Sequence, residues 1–252
     1  MTSTPVGMRC PECSKQKTKV HSVRTMQQAS TQVTRVLIGI CVVVFLAELA
    51  TDRIAFPGSI YDRGGVFAPF VADGEPWRLL TAGFLHAQPP FGFVHIAFNM
   101  YLLFLLGQML EGALGRWRFL LVYLIAIAGA SAVAMLLQPQ SFTVGASGGV
   151  FGLMGAALLD LRSRGQAPFQ SQIGQLLLVN IVLTFVFPNV SIGGHLGGLA
   201  AGAAAFLVVQ EAGRRRLPAA ATYGVLVALL ALALVAGVLI AESVAESANP
   251  FG

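Results

Sequence analysis

Ser147 lies in the stretch GASGGVFGLMG (residues 145–155) and His195 in SIGGHLGGLAAG (residues 191–202), each set among glycines. A hydroxyl and an imidazole are the minimum for acyl transfer: the ring takes the proton as the oxygen attacks a carbonyl, then returns it to the leaving amine. His95 and Asn99, four apart in HIAFNM, share one helix face and add two hydrogen-bond donors of the kind that stabilise an oxyanion. The letters GASGG also fit the G-x-S-x-G elbow of soluble hydrolases, which requires the strand–turn–helix of an α/β sheet. The elements around the serine therefore decide its chemistry.

Those elements are apolar. Of 252 residues, 56% are hydrophobic and only 11% charged, against about a quarter charged in soluble domains. Mean hydropathy is +0.74. A membrane-crossing helix needs about 20 mostly apolar residues, and seven runs approach or meet this: 34–51, 92–113, 117–137, 146–162, 172–188, 191–210 and 219–241. None alternates with period two as barrel strands do, so an all-α polytopic bundle of seven transmembrane helices is expected. No sheet is left to carry a nucleophile elbow. Of the 16 Lys and Arg, all but Arg53, Arg63 and Arg78 fall on one side, which places the N-terminus in the cytoplasm and the C-terminus outside. The net charge of +5 is explained by loops facing anionic lipid, and no nucleic-acid partner is expected. The first thirty residues lack the apolar core of a cleavable signal peptide.

With that topology Ser147, His195, His95 and Asn99 descend from the same leaflet to similar depth, about 5–10 Å for His195. Each also has a packing reading. Serines in membrane helices commonly bond their own i−4 carbonyl, as expected for Ser131 and Ser191 unless they face the boundary; a buried histidine can simply be packed, and an asparagine can join two helices. The glycines favour convergence. Gly194, Gly198 and Gly202 recur every four residues in the sixth span, and Gly148, Gly152 and Gly155 line one side of the fourth. Stripes of small residues let helices approach closely, bringing Ser147 within reach of His195. The unpaired N–H groups that open the fourth span can receive an oxyanion. Asp160 lies about 20 Å down its helix from Ser147 and Glu111 is at the far end of the second span. The expectation is thus a Ser–His dyad whose ring is oriented by packing rather than by a carboxylate.

The N-terminal segment carries Cys10 and Cys13 as C-x-x-C, with His21 beyond. Structural zinc takes four ligands and this segment offers at most three, so the two thiols are weak metal candidates. A basic, mostly disordered arm is the plain reading; half of a small zinc module is the sharper one. Cys41 is expected to be packed or lipid-facing, and no cofactor is expected.

GASGGVFGLMG, GGHLGGLAAG, HIAFNM and the loop motif EPWRLLTAGFLH resemble the motifs of the rhomboid intramembrane serine proteases, in the family's order, from about Pro76 to Gln210. The resemblance implies Ser147 as nucleophile and His195 as general base. Asn99, His95 and Gly148 would serve the oxyanion, with Phe151 stacked on the histidine where some members carry Tyr. Structural roles are implied for Trp77 and Arg78 in the outer loop, for Glu111 with Gly115 at the exit of span two, and for the packing glycines Gly198 and Gly202. The run AQPPFGFV between His86 and His95 is longer than in compact bacterial members, and the last span suggests the bacterial six-plus-one form. The expected organisation is a cytoplasmic arm (1–32), a six-helix protease core (33–210) and an additional helix with a short outer tail (211–252). The implied function is an endopeptidase of the cell membrane that cleaves transmembrane-protein substrates near the outer leaflet, with lipid as its other partner. The alternatives are a catalytically inactive rhomboid-like protein that binds membrane clients, and a transporter, for which neither an internal repeat nor a mid-membrane charge is visible.

Overall fold

The computed structural model describes residues 2–4, 7–9, 31–52, 59–187 and 190–247. Cys10, Cys13 and His21 lie outside the described residues. At the N-terminal end β1 (Thr2–Thr4) pairs antiparallel with β2 (Gly7–Arg9), a short hairpin the composition did not suggest. All other regular structure among the described residues is helical. Helix α1 (Gln32–Asp52) is followed by three short helices: α2 (Ile60–Gly64), α3 (Ala68–Ala72) and α4 (Arg78–Thr81). Then come α5 (Phe91–Leu114), α6 (Arg116–Leu137), α7 (Ser147–Ser163), α8 (Gln172–Val186), α9 (Ile192–Arg214) and α10 (Ala219–Ser247).

Every expected span coincides with one of these helices. Helices α9 and α10 run past the expected ends at 210 and 241, because Ala- and Glu-rich tails continue a helix beyond the apolar slab. Five helices (α1, α5, α6, α9 and α10) are long and apolar enough to cross a membrane. Helices α7 and α8, at 17 and 15 residues, are shorter. The chain is an all-α, multi-pass membrane bundle. Helix α6 is its axis, packing against α7, α9 and α10.

Helices α7 and α9 approach closely, and glycine makes it possible. A Cβ built on Gly198 would lie 2.1 Å from the Gly148 carbonyl oxygen, and one on Gly202 would lie 2.3 Å from Gly152 Cα. Backbone meets backbone there. A second glycine face of α9, not singled out from the sequence, sits on α6: a Cβ on Gly193 or Gly197 would lie 2.5 Å from Val133 O or 2.6 Å from Gly129 O.

At the other end of α5, the buried Glu111 carboxylate caps α1. It accepts from Val33 N (2.8 Å), Thr34 N (2.9 Å) and Thr34 Oγ1 (2.6 Å). Helix N-termini leave such N–H groups without intrahelical partners, and a negative charge there is favourable.

The loop between α1 and α5 is a folded unit. The buried Arg78 guanidinium donates to the carbonyls of Asp62 (2.5 Å) and Gly65 (2.8 Å) and, through Nε, to Glu75 (2.5 Å), while lying over the Phe70 ring. Trp77 is half exposed and donates its indole N–H to Arg63 O (3.3 Å). The underside of the loop (Val66, Ala68, Val71, Leu79 and Ala82) shares a small core with Met135 of α6 and Ala241 of α10. The C-terminal helix therefore seats the α1–α5 loop. Ser131, expected to bond its own helix or face the boundary, instead donates to Leu79 O of this loop at 2.9 Å.

Two outcomes follow for stability. Glu111→Ala strands buried N–H and hydroxyl groups at about 1–3 kcal/mol each, so thermal unfolding in detergent should show a clearly lowered Tm, with a smaller drop for Glu111→Gln. Gly202→Leu forces the α7–α9 seam apart and should also lower Tm, overpacking costing about 1–3 kcal/mol. Gly224→Leu, at a position with nothing within 4 Å of the new Cβ, should leave Tm unchanged.

Candidate active site

Ser147 is the first residue of α7, preceded by Gly145 at φ +134°, a conformation side chains rarely adopt. Gly145 N–H donates to Ala82 O (2.9 Å), and the bridge between Val66 and Thr143 (3.0 and 2.9 Å) ties the same segment to the α1–α5 loop. A Cβ on Gly145 would stand 3.2 Å from His95 Nε2 and 3.5 Å from Ser147 Oγ. The bare turn thus brings the His95 ring and the serine hydroxyl to either side of one small gap.

His195 stands in the first turn of α9. That helix is capped by Ser191, whose Oγ accepts from Gly194 N (3.0 Å) and donates to Gln138 Oε1 (2.9 Å) at the end of α6. Here too the sequence expectation of a self-bonded or boundary serine is corrected: Ser191 joins two helices. The imidazole stacks on Phe151 at 4.0 Å between ring centroids and 17° between planes. Its Nδ1 lies 2.6 Å from Thr184 Oγ1 of α8. Thr184 Oγ1 also donates to Asn180 O (2.7 Å). The sequence reading missed Thr184; the available signal was Asn180 and Thr184 four apart, two polar groups on one face of an apolar helix.

On α5, Asn99 donates one amide hydrogen to His95 O (3.0 Å), which leaves its second for another acceptor. His95 Nδ1 accepts from Ala87 N at a long 3.4 Å. In a neutral ring that assigns the proton to Nε2, on the side of Gly145 and Ser147. His86 packs edge-on to His95 (centroids 5.4 Å) and is 1% exposed. Burial, and after it the neighbouring His95, holds the His86 imidazole down to about 3, so this ring is neutral.

Ser147, Gly148, Phe151, His95, Asn99 and His195 all line one cavity of about 790 Å³. Its lining is mixed. Gln138, Ser141 and Thr143 at the α6–α7 connection and Ser191 before α9 contribute polar groups, and Phe91, Val94 and Phe98 of α5 with Leu183 and Phe187 at α8 contribute apolar ones. No direct hydrogen bond joins Ser147 Oγ to His195 among the described residues; they share the cavity across the α7–α9 seam. Trp77, Arg78 and Glu111 stand outside the cavity, and Gly198 and Gly202 line the seam below it. No three His, Cys, Asp or Glu side chains cluster as a metal-ligand set among the described residues.

Residues 73–212 match the model of the Rhomboid domain. The chain is 36% identical over 175 residues to the Rhomboid protease GluP of Bacillus subtilis (strain 168), an alignment covering 67% of this chain and 32% of that protein. It is 38% identical over 154 residues to the Putative rhomboid protease YdcA of the same organism, covering 58% of this chain and 73% of that protein. RHOMBOID-like protein 6, mitochondrial, of Arabidopsis thaliana is 36% identical over 137 residues, covering 52% of this chain and 43% of the plant protein. The chain thus spans about a third of the first relative and less than half of the third. With four separate motifs gathered around one cavity and a domain match over more than half its length, this chain belongs to the rhomboid family.

Proposed function

We propose that the protein is an intramembrane serine endopeptidase of the cell membrane, with Ser147 as nucleophile and His195 as general base, cleaving transmembrane-protein substrates near the outer leaflet. Its seven helices cross the bilayer with the N-terminus in the cytoplasm and the C-terminus outside. Residues 33–210 form the catalytic core and 211–252 the appended helix. The observation that carries this reading is the His195 ring, stacked on Phe151 with Nδ1 engaged by Thr184, in the same cavity as the Ser147 hydroxyl.

In the reaction Ser147 Oγ attacks the scissile carbonyl as His195 Nε2 takes its proton. The oxyanion is met by donors that line the cavity: the second amide hydrogen of Asn99, His95 Nε2–H and the N–H groups that open α7 around Gly148. His195 then delivers the proton to the leaving amine, and water hydrolyses the ester by the same route. A substrate helix must unwind to present its carbonyl, so small or helix-breaking residues near the cut are favoured.

The test is cleavage of a single-span model substrate by the purified protein in detergent. Ser147→Ala and His195→Ala should each lose activity by at least about 10³-fold, and a fluorophosphonate probe should label the wild type but neither variant. Asn99→Ala should lower kcat by about 10²-fold. Cleavage that survives Ser147→Ala would overturn the assignment. A wild type that binds the substrate without cutting or labelling would instead favour the inactive client-binding alternative.

A further inference from the structure

We infer that Thr184 is a positioning residue that fixes the tautomer of His195. The inference rests on the peptidase reading only for its catalytic consequence, since the tautomer itself is a property of the resting protein. A threonine hydroxyl has one hydrogen to give and two lone pairs with which to accept. Thr184 Oγ1 gives its hydrogen to Asn180 O at 2.7 Å, the i−4 back-bond common to Ser and Thr in helices. At 2.6 Å from His195 Nδ1 it can then only accept, so Nδ1 carries the ring proton. In the neutral imidazole this leaves Nε2 as the lone pair, the state a general base requires.

Phe151 cannot do this work. Its ring, stacked at 4.0 Å, fixes the plane of the imidazole but offers neither a lone pair nor an N–H to choose between the two tautomers. Thr184 is buried, 4% exposed, in the wall of the cavity that His195 also lines. The arrangement does for the dyad what a carboxylate does in a triad, without the charge. In a triad, loss of the tautomer-setting carboxylate function lowers kcat by about 10⁴-fold. A neutral hydroxyl, whose hydrogen bond is worth about a tenfold factor, should have an effect of that smaller order.

The experiment uses the full chain in detergent with ¹⁵N-labelled histidine, His195 being assigned by its loss in His195→Ala. Wild type should give a protonated Nδ1 and an unprotonated Nε2 at His195. Thr184→Val, which keeps the side-chain shape and removes the hydroxyl, should lose that preference, and Thr184→Ser should restore it. In the cleavage assay Thr184→Val should lower kcat about tenfold with KM within about twofold of wild type, and Thr184→Ser should stay close to wild type. If Thr184→Val does not fold, Thr184→Ala takes its place in both measurements. A wild-type His195 protonated at Nε2, a Thr184→Val spectrum identical to wild type, or a Thr184→Ser variant as impaired as Thr184→Val would overturn the inference. An inactive wild type that nonetheless shows the Nδ1–H tautomer would leave Thr184 in its positioning role and remove the peptidase reading alone.

Discussion

Below the Phe151–His195 stack, α7 and α9 meet backbone to backbone. Gly148 and Gly152 of one helix face Gly198 and Gly202 of the other at separations where even a methyl group would collide with main-chain atoms. In a bilayer the lipid tails are as apolar as leucine, so helices gain little by hiding apolar surface from them; close van der Waals contact is what holds a pair together. The functional groups depend on this contact in a direct way. Ser147 begins α7 one residue before the first glycine of the seam, and His195 precedes Gly198 by one turn. Any increase in interaxial distance would be passed on to the hydroxyl and imidazole.

The seam alone would leave the top of α7 unsupported, since a glycine-rich turn has little to hold it. The α1–α5 loop supplies the support. Arg78 gathers the carbonyls of Asp62 and Gly65, Thr81 donates to Gly64 O at 2.7 Å, and Ser131 reaches across to Leu79 O. From this unit Ala82 O takes the Gly145 N–H, and Val66 bridges to Thr143. The turn that presents Ser147 is thus hung from the loop by main-chain bonds, and the loop rests in turn on α6 and α10. A helix with no group in the cavity still helps to hold the site through Leu79, whose side chain lies against Gly237.

Much of this could be read from the residues alone, for uneven reasons. Apolar runs of helical length are a strong signal, and the helices fall where the runs do; only the polar tails of α9 and α10 extend further than hydropathy suggests. The glycine spacing indicated which two spans touch. What could not be read is which polar group meets which partner in another element. Ser131 and Ser191 sit in settings that suit a self-contained bond, yet one serves the α1–α5 loop and the other joins α6 to α9. Thr184 bonds its own helix, and that bond hides the second contact of the same oxygen. The short helices α2–α4 carry too few residues for periodicity to reveal them, and the β1–β2 hairpin has no alternation to mark it.

The mixed lining of the cavity has a further consequence. Water next to Gln138, Ser141, Thr143 and Ser191 would find hydrogen-bond partners, whereas water next to Phe91, Val94, Phe98 and Leu183 would find none. One chamber inside an apolar bundle thus offers both wettable and oily wall, and Ser147 and His195 are part of that wall.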